Sequence, residues 1–347
     1  MTPRAVAAVA EGMARWANPS SPHAAGRAAR AALEDARAAI GAAYGWRRDV
    51  LLTSGASESL GIALGRSVLP RRWVSAVEHD AVLRAAPDAT RIAVGADGLV
   101  DPAALAGALA DGPAMVAVQW ANSETGVIQP IAGLAEQVHA AGSVLLLDAA
   151  QMPPGADPEA IAAADLVALS AHKHGGPPGS GALLVRDLGV LHPTGGQERG
   201  YRPGTENLPG AMGHAAALAE PADLSRLATQ RARLDDAIAR SGGEVVAAGA
   251  RRYPAIGSYR LPGVAATAQL IRLDLAGFQV SAGSACASGS MKPSHALAAM
   301  GWQDGPSREV IRVSLGRDTT ADEVEAFVVA WRAIARATDR FARATAT

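Results

Sequence analysis

The stretch that decides the fold is DLVALSAHKHGGPPGSGALLV, residues 165–185. Residues 165–169 predict a largely apolar strand, which runs into SAHK and a Gly/Pro turn before a second apolar strand, 181–185. Lysine alone has a side-chain amine that can lose its proton and form a Schiff base with a carbonyl. Lys173 is therefore either an ordinary surface lysine in a loop or an amine tuned by burial at the end of a strand.

The distribution of lysine favours the second interpretation. The chain has 32 basic residues, and only Lys173 and Lys292 among them are lysines. A sequence that otherwise uses arginine places one lysine beside a serine and two histidines, where a strand is expected to end. We therefore regard Lys173 as the candidate catalytic amine.

Composition limits the classes of protein to consider. With 347 residues, 49% of them hydrophobic, the chain is long enough for one large domain and a smaller one. A net charge of −1 gives no basic field for nucleic acid or an anionic membrane. The sequence shows neither a membrane-spanning apolar run nor the apolar core of a signal peptide, so we expect a cytoplasmic protein. The single cysteine, Cys286, excludes an intrachain disulfide and a multi-cysteine metal site, and no metal is expected.

The order of the predicted elements indicates the architecture. Up to about residue 185, apolar strands alternate with helices, which predicts an α/β fold with a mostly parallel sheet covered on both faces. From about residue 205 the pattern changes to long helices and short strands, which predicts an α+β region. We therefore expect a large α/β domain over 1–222 and a small C-terminal α+β domain over 223–347.

Three candidate groups fall at the carboxyl ends of predicted strands, where ligands bind in sheets of this kind. They are His79, Asp148 and the segment 170–173. His79 is either a satisfied core histidine or a residue that stacks on a cofactor ring and carries protons. Asp148 is either a helix cap or structural ion-pair partner, or the carboxylate that holds a protonated ring nitrogen, as in pyridoxal phosphate sites.

Two turns made of small residues also have two interpretations each. The SGASES turn, 54–59, follows a strand and opens a helix, so it is a plain connection or a phosphate site built from free backbone N–H groups. The glycine-rich stretch 195–207 leads into another helix, so it is a plain loop or a phosphate contact that reaches a neighbouring subunit.

Two single residues in the C-terminal part complete the set of candidates. Cys286 lies in a run of small residues, 281–290, without apolar periodicity, which favours a reactive thiol on an exposed loop over a buried structural cysteine. Arg312 interrupts an apolar strand pattern, so it is either a carboxylate clamp or a surface arginine on an edge strand.

Taken in order, these stretches resemble the cysteine desulfurases, pyridoxal phosphate enzymes of the class-V aminotransferase-like group with the fold-type-I architecture. Each stretch is a weak signal alone, but together they extend over nearly the whole chain. The matching stretches are NPSS (18–21), TSGASES (53–59), EHDAV (78–82), NSETG (122–126), DAAQ (148–151), SAHK (170–173), GQERG (196–200), RPGT (202–205) and GSAC (283–286).

The resemblance implies a role for each candidate around pyridoxal 5'-phosphate. Lys173 attaches the cofactor, Asp148 holds its ring nitrogen and Gln151 contacts its ring hydroxyl. His79 stacks on the ring and exchanges protons. The remaining cofactor contacts that it implies are Ala56, Ser57, Ser170 and His172 at the phosphate, Thr205 from across a dimer interface, and Asn122 with Ser123 near the ring.

The resemblance also implies the reaction. Arg312 takes the carboxylate of L-cysteine, and Cys286 attacks the sulfur of the bound cysteine, which gives an enzyme persulfide and releases alanine. The Ser-Ala-Cys loop resembles the branch of the family that hands sulfur to iron–sulfur scaffold or tRNA-thiolation partners. The resemblance further implies a homodimer.

Two departures from the family pattern leave other functions open. Ser123 stands where the family usually has asparagine. The family's opening strand and Asn-Ala-Thr-Thr-Pro turn are matched here only by Thr2 and Pro3. The alternatives are a selenocysteine lyase, another class-V lyase or aminotransferase, or a non-catalytic relative that lacks the N-terminal strand.

Overall fold

The structure is a computed structural model that describes residues 1–283 and 293–345, with side chains described up to residue 337. Cys286 and Lys292 therefore lie outside the described residues. The chain divides into two compact units. The first unit comprises Met1–Ala93, Val100–Trp120 and Gln129–Ala222, and the second comprises Val94–Leu99, Ala121–Ile128 and Asp223–Thr347.

The first unit is built on a seven-stranded sheet. Its strands are β1 (Asp49–Thr53), β2 (Arg71–Ser75), β3 (Thr90–Ile92), β4 (Ala114–Gln119), β5 (Val144–Asp148), β6 (Leu166–Ser170) and β7 (Gly181–Val185). They lie in the order β1-β7-β6-β5-β4-β2-β3, and β7 alone runs antiparallel to its neighbours. The predicted mostly parallel α/β sheet is thus confirmed.

The central strands of this sheet are buried on both faces because helices cover it. Met115, Leu146, Leu166 and Leu183 are 0% exposed on four different strands. Helix α3 packs against β5, β6 and β7, and α6 packs against β5. The helices of the first unit are α1 (Pro3–Ala14), α2 (Ala24–Ala43), α3 (Ala56–Gly65), α4 (Asp80–Ala85), α5 (Pro102–Leu109), α6 (Ile131–Ala140), α7 (Pro158–Ala163) and α8 (Leu208–Leu218).

The second unit is an antiparallel sheet with helices, as the α+β pattern predicts. Its strands β8 (Glu244–Val245), β9 (Ile256–Arg260), β10 (Ser281–Ala282) and β11 (Val310–Ser314) lie in the order β10-β11-β9-β8. Tyr259 and Trp331 are 0% exposed in its core and pack edge to face. Its helices are α9 (Leu224–Ala239), α10 (Ala266–Leu275), α11 (His295–Ala299), α12 (Asp304–Ser307) and α13 (Ala321–Thr345).

The sequence pattern missed the short elements α4, α7, α12 and β10. The three helices are six residues long or shorter, and β10 has two residues. Fewer than two helical turns show no apolar periodicity, so caps are the main local signal. Asp157 caps α7 in this way, with its carboxylate accepting from the N–H of Ala160 at 3.1 Å. Within the described residues, no helix combines the length with the apolarity that crossing a bilayer requires.

Gly181, the first residue of β7, lies where three backbone segments come close together. It pairs with Thr53 at the end of β1 and with Ser170 at the end of β6. An ideal Cβ at this position would lie 2.5 Å from the Cα of Gly55 and 2.5 Å from the carbonyl oxygen of Leu169. Only glycine therefore lets the two strand ends and the turn before α3 come together.

We predict that Gly181→Ala destabilises the protein by about 1–3 kcal/mol, because backbone atoms would have to move to admit the methyl group. Denaturant unfolding measures this change. The matched control is Gly107→Ala on the exposed surface of α5, where an added Cβ meets nothing within 4 Å. That variant should gain about 0.5–1 kcal/mol from helix propensity. Equal stability of the two variants would contradict the packing role of Gly181.

Candidate active site

The carboxyl ends of neighbouring strands bring the main candidates to one edge of the first sheet. Asp148 is the last residue of β5 and Ser170 is the last residue of β6. The two strands pair in parallel, with Asp148 opposite Ala168, and paired strands lie about 4.8 Å apart. The strand pattern predicts this placement, and the structure has it.

A single tight turn holds Lys173 at this edge. Residues Ala171–His174 form a 3₁₀ turn, which Gly175 ends in the left-handed conformation with a φ of 82°. The side chains of His172 and Lys173 are exposed, whereas Ser170 is buried. The prediction that burial tunes the Lys173 amine is therefore wrong, because the turn carries its side chain out of the strand and into solvent. The Ser170 hydroxyl and Nδ1 of His172 lie 3.0 Å apart and share a hydrogen bond.

Electrostatics link Lys173 to the buried carboxylate. Burial raises the pKa of Asp148 to about 6, while the Ala150 N–H bond and the positive charge of Lys173 act in the opposite direction. The carboxyl of Asp148 is thus mainly ionised at neutral pH and ready for a cationic or N–H partner. The pKa of His172 is lowered, mainly by burial and to a smaller extent by the positive charge of Lys173.

The N-terminus of α3 opens at the same edge. Gly55 precedes the helix with a φ of 148°, and no side chain caps the first turn. Ala56 is its first residue, and Ser57 follows with an exposed side chain. Because Gly181 pairs with both Thr53 and Ser170, this helix end lies beside the Ser170 turn. Backbone N–H groups, a hydroxyl and an imidazole together suit an anionic group such as a phosphate.

Just after β2 the structure has a buried carboxyl group, Glu78, for which the sequence pattern predicted no role. Glu78 is 0% exposed, and its Oε1 accepts from the Ser75 hydroxyl at 2.6 Å and from the Gln119 N–H at 2.8 Å. Burial raises the pKa of Glu78 to about 8, and the charge of Asp148 acts in the same direction. The only local signal was a carboxylate just after an apolar strand.

His79, next to Glu78, is the N-cap of α4. Its Nδ1 accepts from the backbone N–H of Ala81 at 3.1 Å. In the neutral ring the proton is therefore on Nε2. The side chain is half-buried. Gln151, three residues after Asp148, is also half-buried.

The glycine-rich stretch 195–207 is held to α2 and α3 of the first unit by ion pairs that the sequence did not indicate. Glu198 is buried, pairs with Arg37 of α2 and accepts from the Leu52 N–H at 2.9 Å. Arg202 pairs with Glu58 of α3 at 3.0 Å. Thr205 itself is exposed.

The other candidates belong to the second unit. Arg312 lies on β11, which has a paired strand on each side, so the edge-strand alternative is wrong. Its Nη1 donates to the carbonyl oxygen of Ser123 at 3.1 Å, and its Nη2 donates to the Ser281 hydroxyl at 3.2 Å. The Asn122 side-chain oxygen accepts from the N–H groups of Glu124 and Thr125.

The family model for aminotransferase class V matches residues 1–327 of this chain. The chain belongs to the class-V aminotransferase family.

Two similar proteins are named for one activity. A protein named cysteine desulfurase from Cereibacter sphaeroides is 38% identical over 89% of this chain and 86% of its own length. A cysteine desulfurase from Rhodobacter capsulatus is also 38% identical, with the same coverage of 89% and 86%. The X-ray structure of a NifS-like protein from Rickettsia africae ESF-5 is 27% identical, covers 96% of both chains and gives a TM-score of 0.86. The predicted family resemblance and fold class are confirmed.

In this class-V chain, Glu78→Gln should change the pH dependence of stability. The pKa of Glu78 rises from an ordinary 4.5 to about 8 on folding, so folding takes up a proton between these values and the wild-type protein loses stability as pH rises through them. Glutamine has no such proton. The unfolding free energy of the variant relative to wild type should therefore increase from pH 4.5 to 8, by more than about 1.4 kcal/mol, the equivalent of one pKa unit.

Denaturant unfolding at a series of pH values tests this prediction. The control is Glu159→Gln, an exposed glutamate on α7, which should leave the pH profile of wild type unchanged. If the unfolding free energies of Glu78→Gln and wild type depend on pH in the same way, Glu78 is ionised in the folded protein across the range and the prediction is wrong.

Proposed function

We propose that this chain is a pyridoxal-phosphate-dependent cysteine desulfurase that converts L-cysteine to L-alanine and holds the sulfur as a persulfide on Cys286. The names of its relatives support the activity. The observation that carries the cofactor part is the position of buried Asp148 and the Lys173 turn at one edge of the first sheet. A buried acid and a nearby lysine amine are the two groups that a pyridoxal site needs.

The donor set of the first unit fits pyridoxal phosphate. The free N-terminus of α3, with Ala56 and Ser57, and the Ser170 hydroxyl with His172 fit its phosphate. The carboxylate of Asp148 fits the protonated ring nitrogen, and Lys173 provides the amine for attachment. Bound pyridoxal phosphate supplies an electron sink for bond breaking at the α-carbon of an amino acid.

The other proposed contacts follow from the family resemblance. By that resemblance Gln151 would contact the ring hydroxyl, and Asn122 and Ser123 would contribute contacts to the ring. Nε2 of His79 exchanges a proton, since Nδ1 is held by the Ala81 N–H. The exposed side chain of Thr205 suits a contribution to the site of a second copy. The homodimer and the cytoplasmic location stay predictions.

The sulfur step uses Arg312 and Cys286. Arg312 binds the carboxylate of L-cysteine through its guanidinium group. The Cys286 thiolate attacks the substrate sulfur, so that an S–S bond forms while the C–S bond of the substrate breaks. The electron pair of the broken bond stays with carbon, which takes up a proton and leaves as alanine. The persulfide sulfur then passes to an acceptor, for which an iron–sulfur scaffold or a tRNA-thiolation partner is proposed.

Cys286→Ser should abolish sulfide release from cysteine while the yellow cofactor absorbance is kept. Without the thiol there is no nucleophile for the substrate sulfur, so turnover should fall at least about a hundredfold. Sulfide and alanine are measured together, with Ser290→Ala as a control from the same run of small residues. Unchanged sulfide release in Cys286→Ser would remove the persulfide mechanism and favour another class-V lyase.

Lys173→Ala should lose the covalent attachment of the cofactor. Borohydride reduction followed by mass spectrometry of the digested protein detects that attachment directly. Lys292→Ala is the matched control, because it removes the other lysine of the chain. Attachment that persists in Lys173→Ala and disappears in Lys292→Ala would assign the anchor to Lys292 and refute the proposal.

A further inference from the structure

A cluster of buried charged groups lies in the second unit, around Asp235 of α9. The carboxylate accepts three hydrogen bonds, from Nε of Arg231 at 2.8 Å, from Nη2 of Arg252 at 2.7 Å and from the Tyr259 hydroxyl at 2.7 Å. Arg231 is 5% exposed as a residue, and only 14% of the Arg252 side chain is exposed. The Asp235 side chain is 18% exposed, so the cluster lies largely, but not wholly, within the interior of one unit.

The charges in this cluster do not balance. Two guanidinium groups face one carboxylate, and burial raises the pKa of the Tyr259 hydroxyl well above its ordinary value, so the phenol stays neutral. The guanidinium of Arg231 also lies over the Tyr259 ring, 5.4 Å from its centroid. One positive charge is left over in this largely buried cluster.

Several guanidinium nitrogens of this cluster have no hydrogen-bond acceptor among the described residues. Nη1 and Nη2 of Arg231 and Nε and Nη1 of Arg252 are buried and find no acceptor among the described residues. A buried cationic donor without a partner is strongly unfavourable, because it has lost its bonds to water. Water could accept some of these hydrogen bonds, but it would not neutralise the charge.

The guanidinium of Arg231 occupies space that a glycine on the neighbouring strand leaves free. An ideal Cβ on Gly257 of β9 would lie 2.5 Å from both Cζ and Nη1 of Arg231, and 2.7 Å from the Tyr259 hydroxyl oxygen. The absence of a side chain at Gly257 thus makes room for the charged group. Its neighbour on β9, Ser258, pairs with Arg312 on β11. Tyr259 of the cluster and Arg312 therefore belong to the same sheet.

We propose that the cluster of Arg231, Arg252, Asp235 and Tyr259 binds one small inorganic anion, of the chloride class, through the unpaired guanidinium nitrogens. A single negative charge equals the surplus, and a small ion suits an interior enclosed by side chains. The bound anion stabilises the fold of the second unit and the sheet that carries Arg312. This site is separate from the proposed desulfurase chemistry and does not depend on it.

Chloride binding is measured on the full chain loaded with pyridoxal phosphate, by ³⁵Cl NMR line width and by the midpoint of thermal unfolding. We expect excess line broadening that added bromide or nitrate displaces. We also expect a higher unfolding midpoint in sodium chloride than in sodium gluconate at equal ionic strength, because binding to the folded state alone stabilises it.

Arg252→Met should remove both the excess line width and the dependence of the midpoint on the anion. Arg240→Met is the matched control, since Arg240 forms an exposed ion pair with Asp236 next to the C-terminus of α9. That variant should keep both effects. Should Arg252→Met fail to fold, the wild-type measurements alone decide: identical midpoints in the two salts and no displaceable broadening would overturn the proposal. Effects that persist in folded Arg252→Met would overturn it as well.

Discussion

The contact between Gly181, Gly55 and Leu169 is the constraint on which the candidate site depends. It lets β7 lie between the ends of β1 and β6 with no side chain in the way. The uncapped start of α3 and the Ser170 turn then face the same space. The part of the site that is proposed to bind an anion is thus a result of backbone packing, and the side chains only complete it.

Buried carboxyl groups set the electrostatics on the other side of the site. Asp148 and Glu78 follow strands of the same sheet and interact through their charges. Burial disfavours ionisation of both, but the charge of Lys173 favours an ionised Asp148, whereas Glu78 is held mainly neutral near pH 7. The structure therefore concentrates negative charge on Asp148, whose ionised form the charge of Lys173 favours.

Much of this arrangement could be predicted because its signals are local. The strand that ends in SAHK, the strand that ends in Asp148 and the SGASES turn are each visible within ten residues of sequence. The ion pairs that hold the segments of the site together have no local signal, because their partners are far apart in the sequence. Arg37 meets Glu198, and Arg202 meets Glu58, only after the sheet has brought distant segments together. No periodicity encodes such partners, and the same holds for the charges around Asp235.

The antiparallel strand β7 has a consequence for the order of assembly. β6 and β7 are joined by the short connection 171–180, so they form a local hairpin that includes the lysine turn. Contacts between near neighbours in the chain close faster than contacts between remote ones. The residues around the amine therefore gain their conformation early in folding. The start of α3 must come from more than a hundred residues upstream, so this helix end joins a hairpin that already exists.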